Sequence, residues 1–88
     1  MLTLCASCNA ADFGTEIAAT CAACHGTDGR SRGAIPVLAG RDRGELVRLM
    51  REFRDGRRSS TVMREIARGY IDAEIEAAAA YFAAQKAP

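Results

Sequence analysis

Apolar positions along the chain fall at helical spacing in four stretches, and no run alternates apolar with polar residues as a half-buried strand would. In the first stretch, about Ala11 to Cys24, Phe13, Ile17 and Cys21 recur at i, i+4 and i+8 and mark one helix face. From Gly26 to Arg41 the chain holds Gly29, Gly33, Pro36 and Gly40, a breaker density that predicts a loop. Asp42 followed three positions later by Glu45 reads as a capping box. Leu46, Leu49, Met50 and Phe53 then form an inward stripe that stops at Gly56. Past Arg57-Arg58-Ser59-Ser60, a short helix is predicted from about Val62 to Arg68, with Ile66 inward and Gly69 as its C-terminal cap. The last helix is expected to open on Asp72 as cap, with Glu74 and Glu76 at the positive end of its dipole and Ile71, Ile75, Ala78 and Phe82 along one face. Its Ala77–Ala80 run favours helix and admits a close neighbour, which predicts a crossing with the first helix around Phe13 and Ile17. The pattern is all-α, about four short helices.

The chain has 88 residues, 49% of them hydrophobic but only 6% aromatic, with no tryptophan. A chain of this size buries a limited fraction of its surface, and alanine, which dominates the apolar count, contributes little apolar area. A bulky apolar cofactor would supply the missing core volume, and without it the chain is expected to fold poorly. No run is long and apolar enough to span a bilayer.

Five residues carry the candidate chemistry: Cys21-Ala22-Ala23-Cys24-His25. A C-x-x-C-H run is the attachment signal for c-type haem, each thiol adding to a porphyrin vinyl group while the histidine ligates the iron. A C-x-x-C pair also occurs as a redox disulfide or as half of a zinc site. No strand precedes Cys21 as a thioredoxin-like motif requires. His25 is the sole histidine, so a fourth zinc ligand could come only from Cys5, Cys8 or a carboxylate. We adopt one covalent haem c, held through Cys21 and Cys24 with His25 as proximal ligand.

Three methionines compete for the opposite side of the iron. Met50 sits in the Leu46/Leu49/Phe53 stripe, where a methionine is ordinarily core, and Met1 is terminal. Met63, where the Ser59-Ser60-Thr61 turn meets a short helix, is the expected distal ligand. His/Met ligation raises the reduction potential and leaves no vacant position for a substrate, which favours electron transfer over catalysis. Pro36, eleven positions after His25, offers a carbonyl to the second imidazole nitrogen, or else merely stiffens the loop; Leu38 is expected to touch the haem. Tyr70 and Tyr81 are expected to pack or hydrogen-bond near it.

Formal net charge is +1, unevenly spread. Residues 1–29 carry Asp12, Glu16 and Asp28 against no base; residues 30–68 carry eleven arginines against Asp42, Glu45, Glu52, Asp55 and Glu65; residues 69–88 carry Lys86 against Asp72, Glu74 and Glu76. The basic middle is either a solvated helix face, its acids interleaved at helical spacing, or a docking patch for an acidic redox partner. Nucleic acid is not expected as a partner.

The chain resembles a class I cytochrome c from about Phe13 to Gln85. The resemblance rests on Cys21, Cys24 and His25, on Gly33-Ala34-Ile35-Pro36-Val37-Leu38-Ala39-Gly40, on Met63, and on Glu74-Ile75-Glu76-Ala77-Ala78-Ala79-Ala80-Tyr81-Phe82. Within that class, Phe53-Arg54-Asp55-Gly56-Arg57-Arg58, Thr61-Val62-Met63 and Ile66-Ala67-Arg68-Gly69-Tyr70 are similar to the cytochrome subunit of flavocytochrome c sulfide dehydrogenases and to c553- and c4-like domains. The resemblance implies four short helices wrapped around one haem and electrons received from a redox enzyme such as a sulfide-oxidising flavoprotein. They would pass on to a respiratory or photosynthetic chain. The family usually has glycine at its helix crossing; Phe13, eight residues before Cys21, stands there instead, so the contact is expected to shift towards the small alanines. A haem-based sensor with an open distal side is the alternative.

Residues 1–10 read as an N-terminal tail and residues 11–88 as the cytochrome domain. Cys8-Asn9-Ala10 resembles the small-x-small pattern before a signal cleavage point, although no basic region or long apolar run precedes Cys21. Leu2-Thr3-Leu4-Cys5 resembles a lipoprotein box with leucine where a small residue belongs, and Cys5 with Cys8 could instead form an exported-protein disulfide. The expected location is the periplasm, soluble.

Overall fold

An alanine-rich stretch with strong helix propensity opens the computed structural model, which describes residues 10–88; the expected tail features, Cys5, Cys8 and Met1 lie outside the described residues. Helix α1 runs Ala10–His25 and stops where Gly26, at φ +85° and ψ 165°, takes a conformation open to glycine alone. A single 3₁₀ turn, Thr27–Gly29, leads into the predicted loop. Helix α2, Arg43–Arg54, starts where Asp42 accepts a hydrogen bond from the Glu45 N–H at 3.0 Å. The reciprocal half of the expected capping box is not made, because the Glu45 carboxylate turns to Arg41 at 3.0 Å. Short helix α3 spans Met63–Ala67 and α4 spans Asp72–Ala83. The described residues contain no strand, and no helix among them is long and apolar enough to cross a membrane.

Packing centres on α1 against α4, with α2 closing the other side of α4. The buried cluster is Ala18, Leu46, Val47, Ile75, Ala79 and Phe82, with Cys21, Leu38, Met50, Tyr70 and Tyr81 partly buried around it. Ile75 is the only large side chain that the described polypeptide encloses completely, so the protein part of the core is thin, as the alanine content implies. The stripe of α2 turns slightly from its expected line: Leu46 and Val47 are buried, while Leu49 and Phe53 are only partly so.

The helix crossing lies where expected, between Phe13 and Ile17 on α1 and at the alanine run of α4, but Gly14 rather than Phe13 occupies it: a methyl group built on Gly14 would meet the carbonyl of Ala77, with the carbonyl carbon 3.0 Å away, while Phe13 is 40% exposed. Four further expectations need correction. Ile66 points outward at 41% exposure and Ala67 fills the core instead. Arg68, not Gly69, caps α3, and Gly69 has no positive φ. Asp72 does not cap α4: Ile71 holds that position, its N–H bound by the Glu74 carboxylate at 2.9 Å, and Asp72 reaches back to Arg54 at 2.8 Å. Ile71 itself is 64% exposed, so the inward face of α4 begins at Ile75.

Candidate functional site

The last turn of α1 carries both thiols, because residues three apart in a helix are surface neighbours. Both are free cysteines, Cys21 partly buried against the core and Cys24 exposed. Burial is the main cause that pushes the Cys21 thiol above its ordinary value. Thr20 gives its proton to the Ile17 carbonyl at 2.7 Å, so in its 3.2 Å contact with Tyr70 the phenol is the donor.

His25 closes the helix with Nδ1 2.7 Å from the Pro36 carbonyl oxygen. A carbonyl only accepts, so Nδ1 carries a hydrogen, and in the neutral ring the lone pair is then on Nε2, the form in which imidazole binds metal. The segment supplying that carbonyl is fastened to the turn after His25. The Gly29 carbonyl accepts from the N–H groups of Leu38 at 2.8 Å and Ala39 at 3.1 Å. The turn is fastened in its own right to α4. Gly29, at φ +78°, lies so close to Phe82 that an added methyl would sit 2.7 Å from that ring, and the Tyr81 hydroxyl donates to Asp28 Oδ1 at 2.5 Å. Asp28 is the single non-glycine residue with positive φ among the described residues, at +54°. Nothing local in the sequence announces the Asp28–Tyr81 bond, which joins positions 53 apart.

Met63 is the first residue of α3 and partly buried, on a turn fixed by the Ser60 hydroxyl, which accepts from the Arg64 N–H at 3.0 Å. Met50, in contrast, packs against the hydrophobic cluster. The segments that hold Pro36 and Met63 leave large apolar side chains uncovered by protein: Ile35 at 43%, Val62 at 51% and Ile66 at 41% exposure. Such exposure is costly unless an apolar body covers it. Two neighbouring thiols, an imidazole with its Nε2 lone pair bare, and uncovered aliphatic side chains are the donor set and surface that a haem requires. For zinc, no group of three His, Cys, Asp or Glu side chains among the described residues is placed to hold a metal ion.

A model of the cytochrome c family matches residues 11–86. The chain belongs to the cytochrome c family. Its helices form the class I cytochrome c fold, and the family's covalent c-type haem assigns Cys21 and Cys24 as the anchoring cysteines. Bound haem supplies reversible one-electron chemistry, and the family is one of electron carriers rather than enzymes. The cytochrome is 41% identical over 69 residues to the cytochrome subunit of sulfide dehydrogenase of Chlorobaculum tepidum, covering 78% of this chain and 63% of that one. It is 39% identical over 74 residues to cytochrome c4 of Pseudomonas aeruginosa, covering 83% of this chain but 37% of the relative. Cytochrome c-554(548) of Halomonas halodenitrificans is 36% identical over 77 residues, 83% of this chain and 93% of its own length. The chain thus spans less than two thirds of the first two relatives.

Sequence reasoning passed over two contributors to this site, Gly14 and the Asp28–Tyr81 pair. A glycine inside a helix lowers stability by about 1 kcal/mol relative to alanine and so signals a packing reason, which was the available clue for Gly14.

Proposed function

We propose that this cytochrome carries single electrons on one haem whose iron is ligated by Nε2 of His25 and the sulfur of Met63, with residues 11–88 as the haem-carrying unit. The observation that carries the reading is the 2.7 Å contact between His25 Nδ1 and the Pro36 carbonyl, which leaves Nε2 as the ligating nitrogen and makes the ring a stronger donor. Pro36 is thus a positioning residue, and Leu38, next to Ala39 on the Gly29 carbonyl, packs between the core and the cofactor. Met63 is favoured over Met50 because Met50 is already used by the core. The electron donor we propose is a redox enzyme, specifically a sulfide-oxidising flavoprotein, on the strength of the 41% identity to a sulfide dehydrogenase cytochrome subunit. The compartment we propose is the periplasm, where haem attachment to such motifs takes place in most bacteria.

The test is the visible spectrum of haem-matured protein, including the weak long-wavelength band that reports iron–sulfur ligation. Haem should stay bound after denaturation, and the band should vanish in Met63→Ala but persist in Met50→Ala. Covalent haem without that band in the parent would replace Met63 ligation by an open distal side, the sensor alternative. Absence of haem would overturn the reading entirely.

A further inference from the structure

The positive charge that stands out in the sequence is largely spent within the molecule. Of the eleven arginines between positions 30 and 68, eight lie within 4 Å of a carboxylate, many of them joining α2 to its own acids or to Asp72 and Glu76 on α4. A surface depression of about 520 Å³ illustrates the point: Arg43, Arg48, Arg51 and Arg57 line it, but so do Glu52 and Glu76. An incoming carboxylate there must displace one already bound.

The other three arginines, which have no carboxylate within that distance among the described residues, are Arg30, Arg32 and Arg64. Arg64 lies over the turn at Gly56, where an added methyl would come within 3.2 Å of its guanidinium carbon. Arg30 and Arg32 instead line one cleft of about 420 Å³ together with Gly26 and Thr27, and no acid lines it. Nε of Arg30 donates to the Lys86 carbonyl at 3.0 Å, which fixes the stem of the guanidinium and leaves its two terminal nitrogens available. Asp28, the acid nearest in sequence, is taken by the Tyr81 hydroxyl. Gly26 is two residues from Cys24, the exposed anchoring thiol, so this charge sits beside the cofactor's attachment point.

We propose that the rim formed by Arg30 and Arg32 is where a redox partner docks, through a carboxylate-bearing surface that seats on these two guanidinium groups beside Cys24, and that the arginine-rich face of α2 is not the docking site. The inference rests on the haem reading above, and deepens it by naming the face and the partner's chemistry. Two charges of one sign beside the point of electron exit raise the encounter rate of an anion and lower that of a cation, an effect that salt screens.

The experiment compares two double variants of equal net charge, Arg30→Glu/Arg32→Glu and Arg57→Glu/Arg58→Glu, in the haem-loaded protein. Two inorganic reagents serve as probes: hexacyanoferrate(III) oxidising the ferrous protein and hexaammineruthenium(II) reducing the ferric protein. The reduction potential of each variant is measured so that driving force is separated from encounter. At low ionic strength the first variant should lose about tenfold in rate with the anion and gain with the cation, both effects fading by about 0.5 M salt. The second should stay within about twofold of the parent. Poly-L-glutamate should inhibit the hexacyanoferrate reaction of the parent and of the Arg57/Arg58 variant but not that of the Arg30/Arg32 variant. Equal effects of the two variants, or a larger effect at Arg57 and Arg58, overturn the proposal while leaving the haem reading intact. A parent with no covalent haem overturns that reading, and this one with it.

Discussion

Gly14→Ala is a small change that the helix crossing should tolerate poorly. The added methyl would sit 3.0 Å from the carbonyl carbon of Ala77, closer still to its oxygen, and 3.5 Å from Cβ of Tyr81. Ordinary carbon contacts lie at about 3.5–4.0 Å, so α1 and α4 must separate by several tenths of an ångström. The atoms in the way are backbone, which no rotamer change can move. Helix α4 is pinned further along: Phe82 is 3% exposed and lies against Gly29, and Tyr81 is bound to Asp28. Overpacking of this kind costs about 1–3 kcal/mol, and here the upper half of that range applies because the obstruction is rigid. Replacing a mid-helix glycine by alanine returns about 1 kcal/mol through propensity. The net expectation is about 1–2 kcal/mol of destabilisation, which for a domain of this size lowers Tm by about 4–8 °C per kcal/mol. Thermal unfolding of the haem-loaded protein, followed by circular dichroism, measures it. Gly33→Ala is the control: nothing lies within 4 Å of the added methyl and φ is not positive, so its effect should be near zero or stabilising by about 0.5 kcal/mol. A Gly14→Ala protein as stable as the parent would refute the close helix approach.

Tyr81→Phe removes the donor from Asp28 and should cost about 1–2 kcal/mol in denaturant unfolding at neutral pH. The hydrogen bond to Asp28 is the first cause that raises the Tyr81 phenol above its usual value, so its contribution is complete below the ordinary tyrosine range and disappears as pH climbs through the raised value. The Phe variant should lack that part of the alkaline stability loss; an unchanged alkaline limb would count against it. On the acid side, hydrogen bonds hold Asp72 (from Arg54), Glu52 (from Arg58, then Arg48) and Glu45 (from Arg41) below the usual carboxylate range. Their stabilisation is present above the unfolded carboxylate values and is lost as pH falls through the lowered ones, so urea midpoints should decline below about pH 5. Asp72→Asn should decline less steeply than the parent over that interval, and a parallel decline would show that the Arg54 contact is not the cause.

The parts of the molecule legible in the sequence are those whose causes are local. The C-x-x-C-H run needs only neighbours in one helical turn, and Asp42 caps the helix that follows it directly. The parts that were not legible depend on distant residues. Asp72 looked like a cap because its own segment offers that role, but Arg54, eighteen positions earlier, claims its carboxylate. Ile66 read as core under the rule that apolar residues face inward, yet it is open to the solvent side of the polypeptide. In a protein that completes its interior with a cofactor, apolar periodicity cannot distinguish core from cofactor-facing surface. For the arginines the sequence left a solvated face and a docking patch both open; the local pairs with Glu45 and Glu52 were legible, whereas the partners Asp72 and Glu76 lie on another helix and their pairs were not.

The turn after His25 departs from ordinary backbone at three of four positions, Gly26, Asp28 and Gly29, and each departure is held by a contact or cap hydrogen bond outside itself. With His25 as the proposed ligand, the imidazole faces a carbonyl that has little freedom to follow a change of charge at the metal. Electron hops are fast when the nuclei around the donor hardly rearrange between oxidation states. On that proposed ligation, a turn locked in unusual dihedrals would keep reorganisation energy low, so that the conformational cost met once during folding would spare each later electron transfer.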